Sequence, residues 1–113
     1  MKQENYKKGK FGENIALKFL IDKDFELVEQ NYQNKLGEID LIMRDREWLV
    51  FVEVKYKSDD WQGTPEEMIN KGKLYQVRRV AESYIYLKKP KEKKYRIDAV
   101  CILNEKIKHY ENI

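Results

Sequence analysis

The chain has 113 residues, a single cysteine and no long apolar run. Cys101, inside "DAVCIL", cannot close an internal disulfide. Its apolar neighbours make it a small core residue of a protein kept reduced. The N-terminal stretch "MKQENYKKGKFGEN" lacks the apolar segment of a secretory leader. No stretch approaches the roughly 20 apolar residues of a membrane span. The expected location is therefore cytoplasmic, with no membrane partner. Internal repeats and low-complexity linkers are also missing, so a single domain over residues 1–113 is expected. Neither sign of charge dominates: 23 Lys and Arg face 20 Asp and Glu, for a net charge of +3. That balance allows a nucleic-acid partner without implying one.

What is present is a high density of charge, 38 % of residues, beside 42 % hydrophobic residues, enough for a modest core. The charges are unevenly placed. Lys2 to Lys10 and Lys88 to Lys94 are locally basic, while Glu38, Asp40, Glu53, Asp59 and Asp60 supply acid elsewhere. The segment "KKPKEKK" reads as an exposed connection.

Apolar periodicity predicts a helix over 8–22, with Phe11, Ile15 and Phe19 at i, i+4 and i+8 and Ala16, Leu17 and Leu20 beside them. A strand is expected over 25–33, followed by turn chemistry in "NYQNKLG". Strong strands are expected over 38–43 and 48–55, with "RDRE" as the turn between them. After the loop "SDDWQG", the segment "TPEE" has the residues of a helix start: Thr64 as N-cap, Pro65 at N1, Glu67 closing a capping box. Gly72 is expected to interrupt that helix, and a longer one runs from Lys73 to about Leu87, burying Val77, Val80, Ala81 and Tyr84. A strand over 95–103 and a short edge strand at "KIKHYE" complete an α/β sheet with a crossover helix.

The two strong strands carry charges that a buried hairpin should avoid. If Met43 faces Trp48, then Ile39 meets Val52, Leu41 meets Val50, and these aliphatic residues share one face. Glu38, Asp40, Phe51, Glu53 and Lys55 take the other, with Glu38 opposite Glu53 and Asp40 diagonal to it. Opposed carboxylates repel, raise one another's pKa, or hold a cation. Lys55 alone does not balance three negative charges. Oxygen ligands of this kind suit Mg²⁺ or Mn²⁺. The plainer alternative is a solvated sheet face; Phe51 and Ile42 among the charges argue against it.

An acid on one strand followed by Glu-x-Lys on the next, here Asp40 and Glu53-Val54-Lys55, resembles the PD-(D/E)XK nuclease superfamily. The stretches "FGENIALKFL", "NYQNKLGEIDLI", "LVFVEVKYKS" and "RIDAVCI" together resemble the YraN-like family of small bacterial proteins. That resemblance spans nearly the whole chain. It implies a restriction-endonuclease-like fold, similar to archaeal Holliday-junction resolvases: a central mixed sheet with an antiparallel hairpin core, flanked by helices. One departure is Asp24, where the family often has glycine before the aromatic at Phe25.

By position, the resemblance makes Asp40, Glu53, Lys55 and Glu13 catalytic. Asp40, Glu53 and Glu13, with the Val54 carbonyl, become ligands for Mg²⁺ or Mn²⁺. It implies an endonuclease hydrolysing phosphodiester bonds in DNA, branched or structured DNA included. A homodimer is a further expectation, since junction-cutting relatives act as dimers. The alternative is a nucleic-acid-binding module with a nuclease fold and little or no catalysis. Lys57, Lys73, Arg78, Arg79 and Trp61 are the candidate nucleic-acid contacts, and Glu38 is an outer metal ligand, a partner that supports the acids from behind, or a rim charge. Each has a plainer role in view. Glu13 at a helix start serves the macrodipole, Lys73 snorkels along its own apolar face, the arginine pair is a solvated helix face, and Trp61 is a packing lid. The family's Arg-x-Asp strand matches Arg96 and Asp98, with no role assigned.

Overall fold

In the computed structural model, residues 2–113 are described, with side chains from Lys8 onward. The elements are α1 (Lys2–Asp22), β1 (Glu26–Asn34), β2 (Gly37–Asp45), β3 (Trp48–Lys57), a 3₁₀ turn (Glu66–Met68), α2 (Lys71–Lys88), β4 (Lys94–Leu103) and β5 (Lys106–Tyr110). The five strands form one sheet in sequence order. β1, β2 and β3 pair antiparallel, β3 and β4 pair parallel across the α2 crossover, and β4 and β5 close as a hairpin. This is the expected α/β architecture, compatible with a restriction-endonuclease-like fold.

Both faces of the sheet are covered. Ala16 and Leu20 of α1 pack with Leu41, Met43, Val50, Val52, Val54, Val100 and Ile102. Val77, Val80, Ala81 and Tyr84 of α2 pack with Ile42, Leu49, Phe51 and Ile97. The α1 contact line differs from the expected one. Gly12, Ala16 and Leu20 face the sheet, while Phe11 is 53 % exposed and only edge-stacks on Tyr56 at 5.3 Å. Small residues win because they let the helix sit close: a Cβ on Gly12 would lie 2.7 Å from the Tyr56 Cβ.

α1 ends in a Schellman motif. Phe25 N–H donates to the Leu20 carbonyl and Asp24 N–H to that of Ile21. Asp24 takes φ 71, a left-handed conformation that favours glycine. The departure noted at Asp24 thus falls where a side chain is least welcome.

The β2–β3 register is two residues away from the expected one. Met43 pairs with Val50 and Asp45 with Trp48, so the turn is Arg46–Glu47 alone, with Arg46 at φ 57. Arg44 and Asp45 belong to the strand because both find partners: Arg44 pairs with Glu26 and Glu92, Asp45 with Arg96. A two-residue shift keeps each side chain on its face. It does, however, overturn the opposition of Glu38 to Glu53. Glu38 pairs instead with Gln33 of β1, and extending the register one step brings Asp40 level with Glu53.

The single apolar face expected for Ile39, Leu41 and Met43 is also broken. Ile39 and Ile42 both reach the α2 core, whereas Leu41 and Met43 reach the α1 core. The phase slips around Asp40. β1 carries a register shift at Leu27/Glu29, and Asn31, level with Asp40, takes φ 52.

Thr64 Oγ1 accepts from Glu67 N–H at 3.3 Å, but the turn it caps is a single 3₁₀ turn. Gly72 does not interrupt α2. Asn70 caps that helix by accepting from Lys73 N–H at 2.9 Å, and Gly72 lies in its first turn. None of the described helices is long and apolar enough to cross a membrane.

Candidate functional site

Pairing between β2 and β3 stops at Leu41 and Val52. Beyond that point the Asp40 side chain replaces the strand: its Oδ2 accepts the Val54 N–H at 2.8 Å. The carboxyl end of β3 is thereby left with side chains that turn into a cavity of about 350 Å³. Glu13, Glu38, Asp40, Glu53, Lys55 and Lys73 line it, together with Val54 and Lys57. α1 and α2 lie on opposite faces of the sheet, and each reaches this end, one with Glu13, the other with Lys73.

Glu53 is the most enclosed of the acids that line the cavity, 2 % exposed. Burial, and then the Asp40 charge, push its carboxyl up to about 7. Two ammonium groups oppose that rise, Lys55 and Lys73, each 3.6 Å from Glu53 Oε1. Asp40 is raised as well, chiefly by burial, and the Val54 N–H and Lys55 hold it down in part. Glu13 is raised by burial and by Asp40. Among the described residues, its Oε1 is buried without a hydrogen-bond partner. An orphan acceptor of that kind costs stability unless something occupies the cavity.

The expected residues divide into three groups. Asp40, Glu53, Lys55, Glu13 and Val54 do meet around one cavity. Glu38 also lines it but is exposed, a rim charge rather than a buried partner. Lys73 is drawn onto Glu53, so an ion pair replaces simple snorkelling. Lys57 lines the cavity, yet its ammonium donates to the carbonyls of Gln62 and Gly63 at 3.3 and 3.1 Å and so ties down the next loop. Trp61 sits outside, on that loop. Arg78 and Arg79 are exposed on α2 and line none of these walls, and Arg79 lies over the Tyr75 ring.

Four further residues that the sequence does not single out also line the cavity: Lys8, Gly9, Tyr56 and Met68. Gly9 precedes Glu13 by four residues, and that helical spacing was the available signal. Nothing in the local sequence marked Met68, whose place depends on the 3₁₀ turn.

Arg96 and Asp98 belong to a separate network on the α1 face. Arg96 donates to Asp98 at 2.9 Å and to Asp45 at 2.9 Å, His109 contacts Asp98 at 2.8 Å, and Asn112 N–H donates to Asp98 at 3.0 Å. Asp98 is fully buried, and these bonds overcome its burial to hold the carboxyl below its ordinary range.

Among the described residues, no three of His, Cys, Asp and Glu form a ready-made metal cage. A divalent ion at the cavity would therefore draw on fewer side chains, completed by a carbonyl, water or substrate oxygen. Mg²⁺ commonly binds in that manner.

Comparison with known proteins places this arrangement in a family. The model of Uncharacterised protein family UPF0102 matches residues 12–102, a span that contains Glu13, Asp40, Glu53, Lys55 and Lys73. A UPF0102 protein of Thermodesulfovibrio yellowstonii is 38 % identical over 104 residues, covering 92 % of each chain. One of Dictyoglomus thermophilum is 39 % identical over 98 residues, covering 87 % of this chain and 83 % of its own. One of Campylobacter jejuni is 37 % identical over 108 residues, covering 96 % and 94 %. The chain belongs to UPF0102, the YraN family that its sequence motifs resemble.

Proposed function

We propose that the protein is a metal-dependent endonuclease acting on phosphodiester bonds in DNA. The observation that carries this reading is the convergence of Asp40, Glu53, Lys55 and Glu13 on one cavity at the carboxyl end of β3. Structural acids would be expected to carry enough hydrogen bonds to stay ionised cheaply. Here two carboxyls are raised by burial and by a neighbouring acid, Asp40 beside Glu53 and Glu38 beside Asp40, and a third has an oxygen without a partner among the described residues. Perturbed groups concentrated in a cleft mark functional sites more often than structural ones.

The residues fit a hard divalent cation. Asp40 and Glu53 would hold Mg²⁺ or Mn²⁺, with the Val54 carbonyl and Glu13 as further oxygen donors. When bound, such an ion polarises a phosphate oxygen and acidifies water. Asp40 keeps one carboxylate oxygen for this purpose while the other holds Val54 N–H. The Lys55 ammonium, poised beside Glu53, neutralises charge that builds on the phosphate during attack. Glu13 offers its unpartnered oxygen to the attacking water as a proton acceptor. Lys73 balances Glu53 until substrate and cation enter.

The test is cleavage of a panel of single-stranded, duplex, flapped and four-way DNA with Mg²⁺ and with Mn²⁺. Wild-type protein should cut at least one of them, and Lys55→Ala should lose the activity by about a hundredfold or more. Equal activity in the variant would assign the cutting to a contaminant. A second reading, binding without catalysis, draws on the lack of a three-ligand cage among the described residues and on the two lysines already paired with Glu53. It predicts retention of branched DNA with every strand left intact.

A further inference from the structure

A second cavity of about 360 Å³ adjoins the acidic one, and the two share Lys8, Tyr56 and Lys57 as walls. Together they form one trough running from the acids to the loop after β3. Trp61 stands at its far end with its side chain 83 % exposed, more than any other large apolar residue described. A packing lid would be covered, and among the described residues nothing covers that indole.

The loop that presents it is well tied. Trp61 N–H donates to Asp59 Oδ1 at 3.1 Å, Gly63 N–H to the Asp60 carbonyl at 3.0 Å, and Lys57 Nζ to the carbonyls of Gln62 and Gly63. Gly63 takes φ 108, a conformation that a larger residue would strain. Lys8 and Lys57 outnumber Asp59 on this wall, and the Asp59 carboxylate is already engaged by the Trp61 N–H; an indole held out by a braced loop beside that positive charge can receive a nucleobase and its phosphate. Tyr75 and Tyr86 on α2 are also exposed, but they line neither part of the trough.

We infer that the trough takes an unpaired stretch of DNA, with one base stacked on Trp61 and the neighbouring phosphate guided past Lys8 and Lys57 toward the acids. Bases inside a duplex have both faces covered by their neighbours, so a stack on Trp61 selects single-stranded segments, flaps or frayed ends. The inference rests on the nuclease reading for what happens in the acidic cavity, but binding on Trp61 is separable from cutting.

Binding is therefore measured where cutting is blocked, with the Asp40→Asn protein in EDTA, by fluorescence anisotropy. The probes are a labelled oligodeoxythymidine of about 12 nucleotides, within the range such sites occupy, a duplex hairpin closed by a non-nucleotide linker so that it has no unpaired bases, and the ribonucleotide counterpart of the first. The single strand should bind more tightly than the hairpin. Adding Trp61→Ala should weaken it about tenfold or more, and Trp61→Phe should restore most of that loss because a ring remains. Equal affinity with and without Trp61, no binding of the single strand, or preference for the closed duplex would each overturn the inference. Preference for the ribonucleotide strand would overturn its assignment to DNA. If Trp61 matters here while no substrate is ever cut, the trough stands and the nuclease reading fails. If cutting depends on Lys55 and Trp61 is indifferent, the reverse holds.

Discussion

Asp40 Oδ2 holds the backbone N–H of Val54 at 2.8 Å, so one aspartate both ends the β2–β3 pairing and faces the Glu53 carboxylate. Structure and charge are coupled through that side chain, and substitutions should separate them. Asp40→Asn keeps an acceptor for Val54 and removes the repulsion with Glu53. In EDTA at neutral pH it should be as stable as wild type or more so. Asp40→Ala leaves the N–H unpaired and should cost about 1–3 kcal/mol. Urea unfolding of the three proteins checks the order.

Glu53 gives a pH signature with a definite sign. Its folded carboxyl sits at about 7 against an ordinary value of 4.5. Between those values the folded state keeps a proton that the unfolded chain releases. The stability it contributes is complete below about pH 4.5 and is lost as pH rises through 7. Wild type in EDTA should lose stability against Glu53→Gln between pH 5 and 8, by on the order of 1 kcal/mol or more. Parallel curves for the two proteins across that range would contradict the assignment.

Divalent cations should reverse that loss. Mn²⁺ or Mg²⁺ at about a hundredfold over its dissociation constant should stabilise wild type by about 2.7 kcal/mol. The Asp40→Asn/Glu53→Gln double variant should show no such gain. Thermal unfolding with and without metal decides it; an identical response from both proteins would remove the cation from the cavity.

Gly12 sets how closely α1 approaches β3. Gly12→Ala should raise helix propensity by about 1 kcal/mol, yet its Cβ would meet Tyr56 at 2.7 Å. Overpacking should win, with a net loss of about 1–2 kcal/mol. Glu13, the next residue, would move with the helix, so under the nuclease reading proposed above cleavage should fall further than stability alone explains. Activity assayed well below the melting temperature makes the comparison.

Asp24→Gly is expected to act in the opposite direction. At φ 71 the aspartate strains the Schellman turn, and glycine should stabilise the fold by about 0.5–1 kcal/mol. The midpoint of denaturant unfolding should rise with an unchanged slope and no effect on the cavity.

Local pattern was enough for some elements and misleading for others. Local pattern located α2 and the strands and most of α1, which begins at Lys2, six residues before the expected start; Asp40, Glu53 and Lys55 stand out because charges interrupt an apolar pair of strands. The β2–β3 turn was misread because "RDRE" looks solvated. Arg44 and Asp45 are strand residues only because Glu92 and Arg96, some 50 positions away in the chain, supply their countercharges. Thr64 caps as its sequence predicts, but whether the turn lengthens into a helix depended on Asn70 capping α2 afresh.

The sequence by itself determined the α/β class, the hairpin that carries the acids and the kinship of the chain. All of these follow from short-range periodicity and ordered motifs. Tertiary structure alone decided the register, the slip of phase at Asp40, the pairing of Lys73 with Glu53 and the orphan oxygen of Glu13. It also assigned Arg96 and Asp98 to a buried network away from the cavity. The physical reason is that burial and countercharge are properties of neighbours in space. A carboxylate on a strand reads the same in sequence whether water, a lysine from the opposite helix or another acid stands in front of it.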